Sequence, residues 1–226
     1  MRLTTPNYVY PVEYRIRPVT EQADILRQFF PGIGFANKQL AESPIVSPAE
    51  GCFMAPPWWE VASTYGEAVE TVFKKISSQR SFRNHRKGWL GSNCLRESGY
   101  RSRMFHALVE QQRGFNLLVF QAQFGIRRCG YLADRVLSMF MKAEFGLGVF
   151  TSGIMLLTHP ERLTKPEDLP IGCIGDEYNM SGRAHGKWND TPIWCFGNDG
   201  LEFSTYAPGY LDVYCGSASA FLPTPS

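Results

Sequence analysis

The sequence predicts a mixed α/β fold, shading to α+β, in a single globular domain over residues 1–226, and three observations carry that prediction. Residues 116–158 read as strand, Gly-bounded loop, helix and second strand, which is a crossover at the centre of one sheet. Three short helices precede it as flanking elements, and the last third carries an antiparallel hairpin. The composition agrees with a folded chain: 44% of the 226 residues are hydrophobic, 14% are aromatic and only 19% are charged, too little charge for extended disorder.

Taken in order, Val12, Tyr14 and Ile16 alternate with Glu13, Arg15 and Arg17 as a half-buried strand would, and Pro18 ends the run. Thr20 opens a short amphipathic helix, EQADILRQFF, closed by Pro31-Gly32. Residues 31–60 hold five prolines and the string Pro56-Pro57-Trp58-Trp59, and are expected to be irregular. Thr64 and Glu67 have capping-box spacing ahead of Val69, Val72, Phe73 and Ile76, which places a helix over 64–78. The basic loop 79–98 shows no helical or strand period. A further helix begins near Ser102, with Met104, Phe105, Leu108 and Val109 on one face and Gly114 as a left-handed cap.

In the crossover, Leu117–Phe120 is the first strand, 131–145 the helix and Val149–Leu157 the second strand, with Gly146 and Gly148 as the break. Ile193–Phe196 and Leu201–Tyr206 flank Gly197-Asn198-Asp199-Gly200, which is hairpin chemistry, and Leu211–Cys215 supplies one more strand. Residues 178–191 are Gly-rich and polar, as an exposed loop would be.

No basic start with an apolar run behind it opens the chain, and the longest apolar stretch, 146–157, is too short to span a bilayer. The expectation is a small soluble cytoplasmic protein with no membrane contact. Six cysteines without a CxxC read as free buried thiols rather than as disulfides or a zinc site. Histidines dispersed at 85, 106, 159 and 185 give no metal centre, and no motif identifies a cofactor.

Net charge is only +2, but it is uneven: Lys74 to Arg103 carries nine Lys or Arg against one acid, whereas nine acids face four bases from His159 onward. Within the basic stretch, Arg80, Arg83, Arg86 and Lys87 interleave with Phe82 and Trp89, a pattern that neutralises phosphates while rings stack on bases. The other reading is a solvated loop with its rings packed inward.

A second candidate site lies where polar residues leave the crossover strands, because ligands gather beyond the carboxyl ends of parallel strands. Gln121, Gln123, Arg127 and Arg128 leave the first strand, and His159, Glu161 and Arg162 leave the second. The loop Gly125–Gly130 is expected to feed a helix N-terminus that favours an anion. The alternative reading is that Arg127 and Arg128 pair with surface acids such as Asp134 or Glu144 and that His159-Pro160 is only a turn. Asp176 and Glu177 follow the apolar run Ile171–Ile174, and since neighbours on a strand face opposite ways, only one of them serves a given pocket. In an enzyme, His159, Asp176 and Glu177 are the candidate catalytic groups. No Walker loop, GxGxxG, GxSxG or HExxH is present.

Three functions stay open. The favoured one is a binding protein for an anionic ligand, nucleic acid or nucleotide. The others are an enzyme acting on a phosphorylated or nucleotide substrate, and a structural or accessory assembly protein of a virus or mobile element with a protein partner.

Overall fold

The computed structural model describes residues 8–207 and 215–223. In chain order these form α1 (Val19–Phe29), α2 (Lys38–Ala41), β1 (Gly51–Ala55), α3 (Tyr65–Ser77), β2 (Phe82–Asn84), β3 (Leu95–Glu97), α4 (Gly99–Gln111), β4 (Leu118–Gln123), α5 (Ala133–Ser138), β5 (Glu144–Gly146), α6 (Val149–Thr158), β6 (Ile171–Gly172), β7 (Asp176–Tyr178), β8 (Thr191–Gly197), β9 (Gly200–Tyr206), β10 (Gly216–Ser217) and β11 (Ser219–Phe221). The class is mixed α/β, as the sequence predicts. The strands nevertheless lie in three sheets rather than one: β1-β4-β11-β5, β10-β6-β8-β9-β2 and the pair β3-β7.

The largest departure is the crossover. β4 pairs antiparallel with β1 on one side and β11 on the other, so neither edge is left for a parallel neighbour. The run Val149–Leu157, expected as a strand, is the helix α6, and all ten of its residues are buried. An apolar run has no polar face to show its period, so the residues alone read the same way in either state. The hydroxyls reveal the difference: Ser152 Oγ donates to the Gly148 carbonyl at 2.7 Å, one helical turn back, which satisfies a group that has no water to turn to. The helix expected over 131–145 shrinks to α5, because the chain turns at Met139–Ala143 to enter β5 at the edge of the first sheet.

The alternating segment Val12–Ile16 forms no strand. The outer edge of β1 meets the buried Gln22 of α1, whose Nε2 donates to Cys52 O at 2.9 Å and whose Oε1 accepts from Met54 N at 3.1 Å. One side-chain amide thus closes an edge that would otherwise leave unpaired backbone groups in the core. The Pro-rich 31–60 segment is irregular apart from α2, the strand β1 and a single 3₁₀ turn at Trp58–Glu60. Of the expected strand Leu211–Cys215, all but Cys215 lie outside the described residues.

Local signals hold where they are strong. The capping box of α3 is present, with Glu67 N bonded to Thr64 Oγ1 and Thr64 N to Glu67 Oε2. β8 and β9 pair from Thr191↔Tyr206 to Gly197↔Gly200. No disulfide joins the six cysteines, and five of them are buried.

Ala68, Val69, Val72, Phe73 and Ile76 of α3 face the interior and meet α6. Trp194 of β8, fully buried, lies between them and the second sheet, with ring centroids 5.2 Å from Phe73 and 5.5 Å from Phe203. Such pairs contribute about 0.5–1.5 kcal/mol each beyond the area they bury. The indole Nε1 donates to Ser152 Oγ at 3.0 Å, which ties the sheet to α6. Gly153 makes the approach possible, since a Cβ there would lie 2.7 Å from Val72 Cγ1 and 3.0 Å from Trp194 Cζ2. Gly153→Val is therefore expected to lower stability by about 1–3 kcal/mol through overpacking. Urea unfolding of the variant checks this, and an unchanged midpoint would show that α3, α6 and β8 do not meet at this residue.

Candidate functional site

Among the described residues, polar groups gather at both ends of α6 and line a surface cleft beside the basic segment. At the N-terminal end of α6 the first two amide groups have no intrahelical partner. Asp176 Oδ2 accepts from Val149 N at 2.7 Å, and the Tyr65 hydroxyl accepts from Phe150 N at 3.4 Å while donating to the same carboxylate oxygen at 2.5 Å. Gly148 allows the carboxylate in, because a Cβ there would lie 2.2 Å from Asp176 Oδ1. Glu97 and Asp176 are directly opposed on β3 and β7. The fully buried Arg101 lies between them, bonded to Glu97 through Nη1 and to Thr151 Oγ1 through Nη2 at 2.9 Å, with Asp176 Oδ1 at 3.9 Å. Trp58 Nε1 completes Glu97 at 3.0 Å. Burial raises the Asp176 pKa, a push that Arg101 and the Tyr65 hydrogen bond only partly counter. Glu177 points the other way, as strand alternation requires, and forms an ion pair with Arg96 at 2.7 Å.

At the opposite end His159 is fully buried between Tyr14 and Phe53. Its Nε2 accepts from Arg17 N at 3.1 Å, so the proton of the neutral ring belongs on Nδ1, which faces Thr158 Oγ1 at 2.9 Å and Met155 O at 3.3 Å. Burial is the main reason its pKa falls to about 4, with Arg17 adding to the effect and Glu161 opposing it. Arg17 Nη1 in turn binds Glu161 at 2.5 Å. The residues Pro160–Arg162 form a short 3₁₀ turn with proline in its first turn.

A ten-residue α-helix is about 15 Å long. His159 and Asp176 therefore occupy opposite ends of a buried rod, and the structure does not bring the candidate catalytic set His159, Asp176 and Glu177 together.

Most of the ligand-binding set is bonded within the protein. Gln121 bridges Val46 N at 2.6 Å and Pro44 O at 2.9 Å. Gln123 donates to Ser217 O at 2.7 Å and Ser219 Oγ at 2.9 Å, and accepts from Gly125 N at 2.7 Å. The Arg162 guanidinium donates to Leu169 O and Phe124 O, both at 3.0 Å, beneath the Tyr10 ring. Arg128 pairs with buried Glu144 at 2.7 Å, which was the alternative reading of that arginine. Only Arg127 is exposed. The turn that carries it is an isolated 3₁₀ segment, separated from α5 by extended Cys129, so it does not feed a helix N-terminus.

Most of the basic segment also has partners within the protein. Arg80 donates to Pro160 O and Leu163 O, both at 2.8 Å, and burial lowers its pKa to about 10. Phe82 packs inward, 5.1 Å from Phe73. Arg83 reaches Asp199 at 3.1 Å, and Arg86 donates to Thr205 Oγ1 at 2.8 Å. Lys87 is exposed, and Trp89 retains 48% of its surface.

Trp89 stands at a cleft of about 420 Å³ between the loop 88–94 and the loop 179–186, lined by Trp89, Ser92, Asn93, Cys94, Ser181 and three glycines. No carboxylate lines it. Asn179, fully buried, joins the two walls: its Nδ2 donates to Asn93 O at 3.0 Å and Arg183 O at 2.7 Å, and its Oδ1 accepts from Ser181 N and Ser181 Oγ at 3.0 and 2.7 Å. Both amide protons and both lone pairs are used, so the walls are set before any ligand arrives. Trp89 is likewise held, its carbonyl accepting from the Tyr178 hydroxyl at 2.9 Å and its ring lying against Gly182, where a Cβ would approach to 2.9 Å.

Sequence reading missed Asn179 and Arg183, whose loop it treated only as an exposed connection, and it missed Tyr65 and Arg101. For Arg101 a signal existed, namely Glu97 four residues earlier. Among the described residues, no three His, Cys, Asp or Glu side chains gather as metal ligands would, and no helix is long and apolar enough to cross a membrane. Comparison with protein-family models, curated proteins and solved structures gives no match.

The His159 environment gives a signed pH dependence. Its native pKa lies below the ordinary value of about 6.5, so its contribution is complete above that pH and is lost as pH falls toward 4, by about 3 kcal/mol in total. Asp176 and Glu50, raised by burial, act in the opposite sense, so the test compares two proteins rather than two pH values. Urea midpoints of the wild type should fall more steeply than those of His159→Gln between neutral pH and pH 4. Parallel curves would contradict the buried neutral ring.

Proposed function

We propose that the protein binds an anionic, ring-bearing ligand, a nucleotide or the bases of a single-stranded nucleic acid, in the cleft at Trp89. The observation that carries this reading is a half-exposed tryptophan, anchored through its own backbone, in a preformed polar cleft without a carboxylate. An indole held in place loses little freedom when a base stacks on it, and such stacking is worth about 1–3 kcal/mol per base. Arg183 of the second loop and Lys87 and Lys187, each next in sequence to one of the two loops, are exposed, and their charge favours phosphate. Ser92, Asn93 and Ser181 offer hydrogen-bonding groups for a base edge or a ribose. The reading favours binding over catalysis because the ionisable groups an enzyme would need are bonded to backbone and to one another at the two ends of α6.

Titration with a short oligothymidylate and, separately, with a nucleoside triphosphate tests it through tryptophan fluorescence at low salt. Quenching is expected in the wild type and not in Trp89→Phe. Trp89→Ala should weaken binding by about 1–3 kcal/mol, roughly 5- to 150-fold. Lys87→Ala with Arg183→Ala should flatten the salt dependence. No binding of either ligand at low salt, or equal affinity in wild type and Trp89→Ala, would remove the proposal.

A further inference from the structure

Well away in sequence from the loops of the Trp89 cleft, α5 and the turn after it leave large apolar side chains uncovered. Leu137 is 45% exposed and Met141 52%, and Tyr100, at the start of α4, is 40% exposed. Together with Phe140 and Ile174 they line a second cleft, of about 510 Å³, which shares no lining residue with the first. Tyr100 is a fixed wall, since its hydroxyl donates to Glu144 O at 3.0 Å. Met141 is unbranched and adaptable, suited to filling an irregular gap. Contiguous apolar surface of this kind marks an interaction site more often than a bare face.

The charges at this cleft indicate what covers it. Lys142 and Glu177 both line it, so the patch carries an apolar centre with one base and one acid. Both bonds from Arg96 to Glu177 end on Oε2, at 2.8 and 2.7 Å, which leaves Oε1 for a further cation. A partner that matches such a patch needs an apolar centre, an acid to meet Lys142 and a base to meet Glu177. The patch itself has that description. We propose that this face is an isologous interface with a second copy of the chain, in which Lys142 meets Glu177 of the partner subunit and the reverse contact forms across a two-fold axis. Met141 and Leu137 of each copy enter the partner's cleft.

Sedimentation velocity of the full chain over a concentration series tests this. The wild type should dimerise reversibly at concentrations up to about 100 µM, the range of a weak, small interface. Leu137→Glu with Met141→Glu changes two exposed positions, so the fold should survive, as circular dichroism would verify, and the dimer should be lost. Lys142→Glu alone and Glu177→Lys alone each set like charges against each other twice, and each should weaken association about tenfold or more. An equimolar mixture of those two variants pairs opposite charges at both contacts and should dimerise again, a recovery that a general loss of stability could not produce. A wild type that stays monomeric over the whole series, a dimer indifferent to Leu137→Glu with Met141→Glu, or a small apolar molecule retained in the cleft of a monomer on native mass spectrometry would each overturn the proposal.

Discussion

A helix with every residue buried must have its end groups satisfied by the protein, because no water reaches them. In α6 that requirement falls on residues from distant parts of the chain: Asp176 and Tyr65 supply the first amides, and His159 closes the other end while holding the backbone of Arg17. Satisfying one group then obliges another. Asp176 is a buried carboxylate and draws Arg101 toward it, Arg101 needs Glu97 and Thr151, and Glu97 receives Trp58. The polar interior is therefore a set of nested consequences of one apolar helix. Breaking any link leaves a charge or a donor in a medium where it is costly.

This separates the charged residues into two populations. Arg80, Arg101, Arg128 and Arg162 have guanidinium groups directed at backbone carbonyls or at acids within the protein, and they shape the chain where it passes close to itself. Lys87, Arg183 and Lys142 keep their heads in water, where they can meet something else. The charge asymmetry of the sequence mixes the two, so a count of basic residues overstates the surface available to an anion. The proposed recognition sites rest on the second population together with the exposed Trp89, Met141 and Leu137.

The elements legible in the sequence are those whose signals are local. The α3 capping box joins residues three apart, and the β8–β9 hairpin is set by a turn between its strands. α6 was not legible because the residues that exclude a strand there are the partners of β4, which come from β1, some seventy residues before it in the chain, and β11, about a hundred after it. Two- and three-residue strands such as β2, β6 and β10 are too short to show any period. At the candidate site, Lys87 and Trp89 stood out as a basic residue beside an aromatic one. Asn179 and Arg183 did not, since the β3–β7 pairing that brings their loop to Trp89 leaves no mark in either segment.

The dependence of the fold on α6 is tested most directly by native-state hydrogen exchange. Amides of residues 152–158 should exchange only through global unfolding, and so with the highest opening free energy in the molecule, while those of the loop 88–94 exchange through local opening. If the α6 amides exchanged as fast as that loop, the helix would not be the buried element on which the rest is arranged.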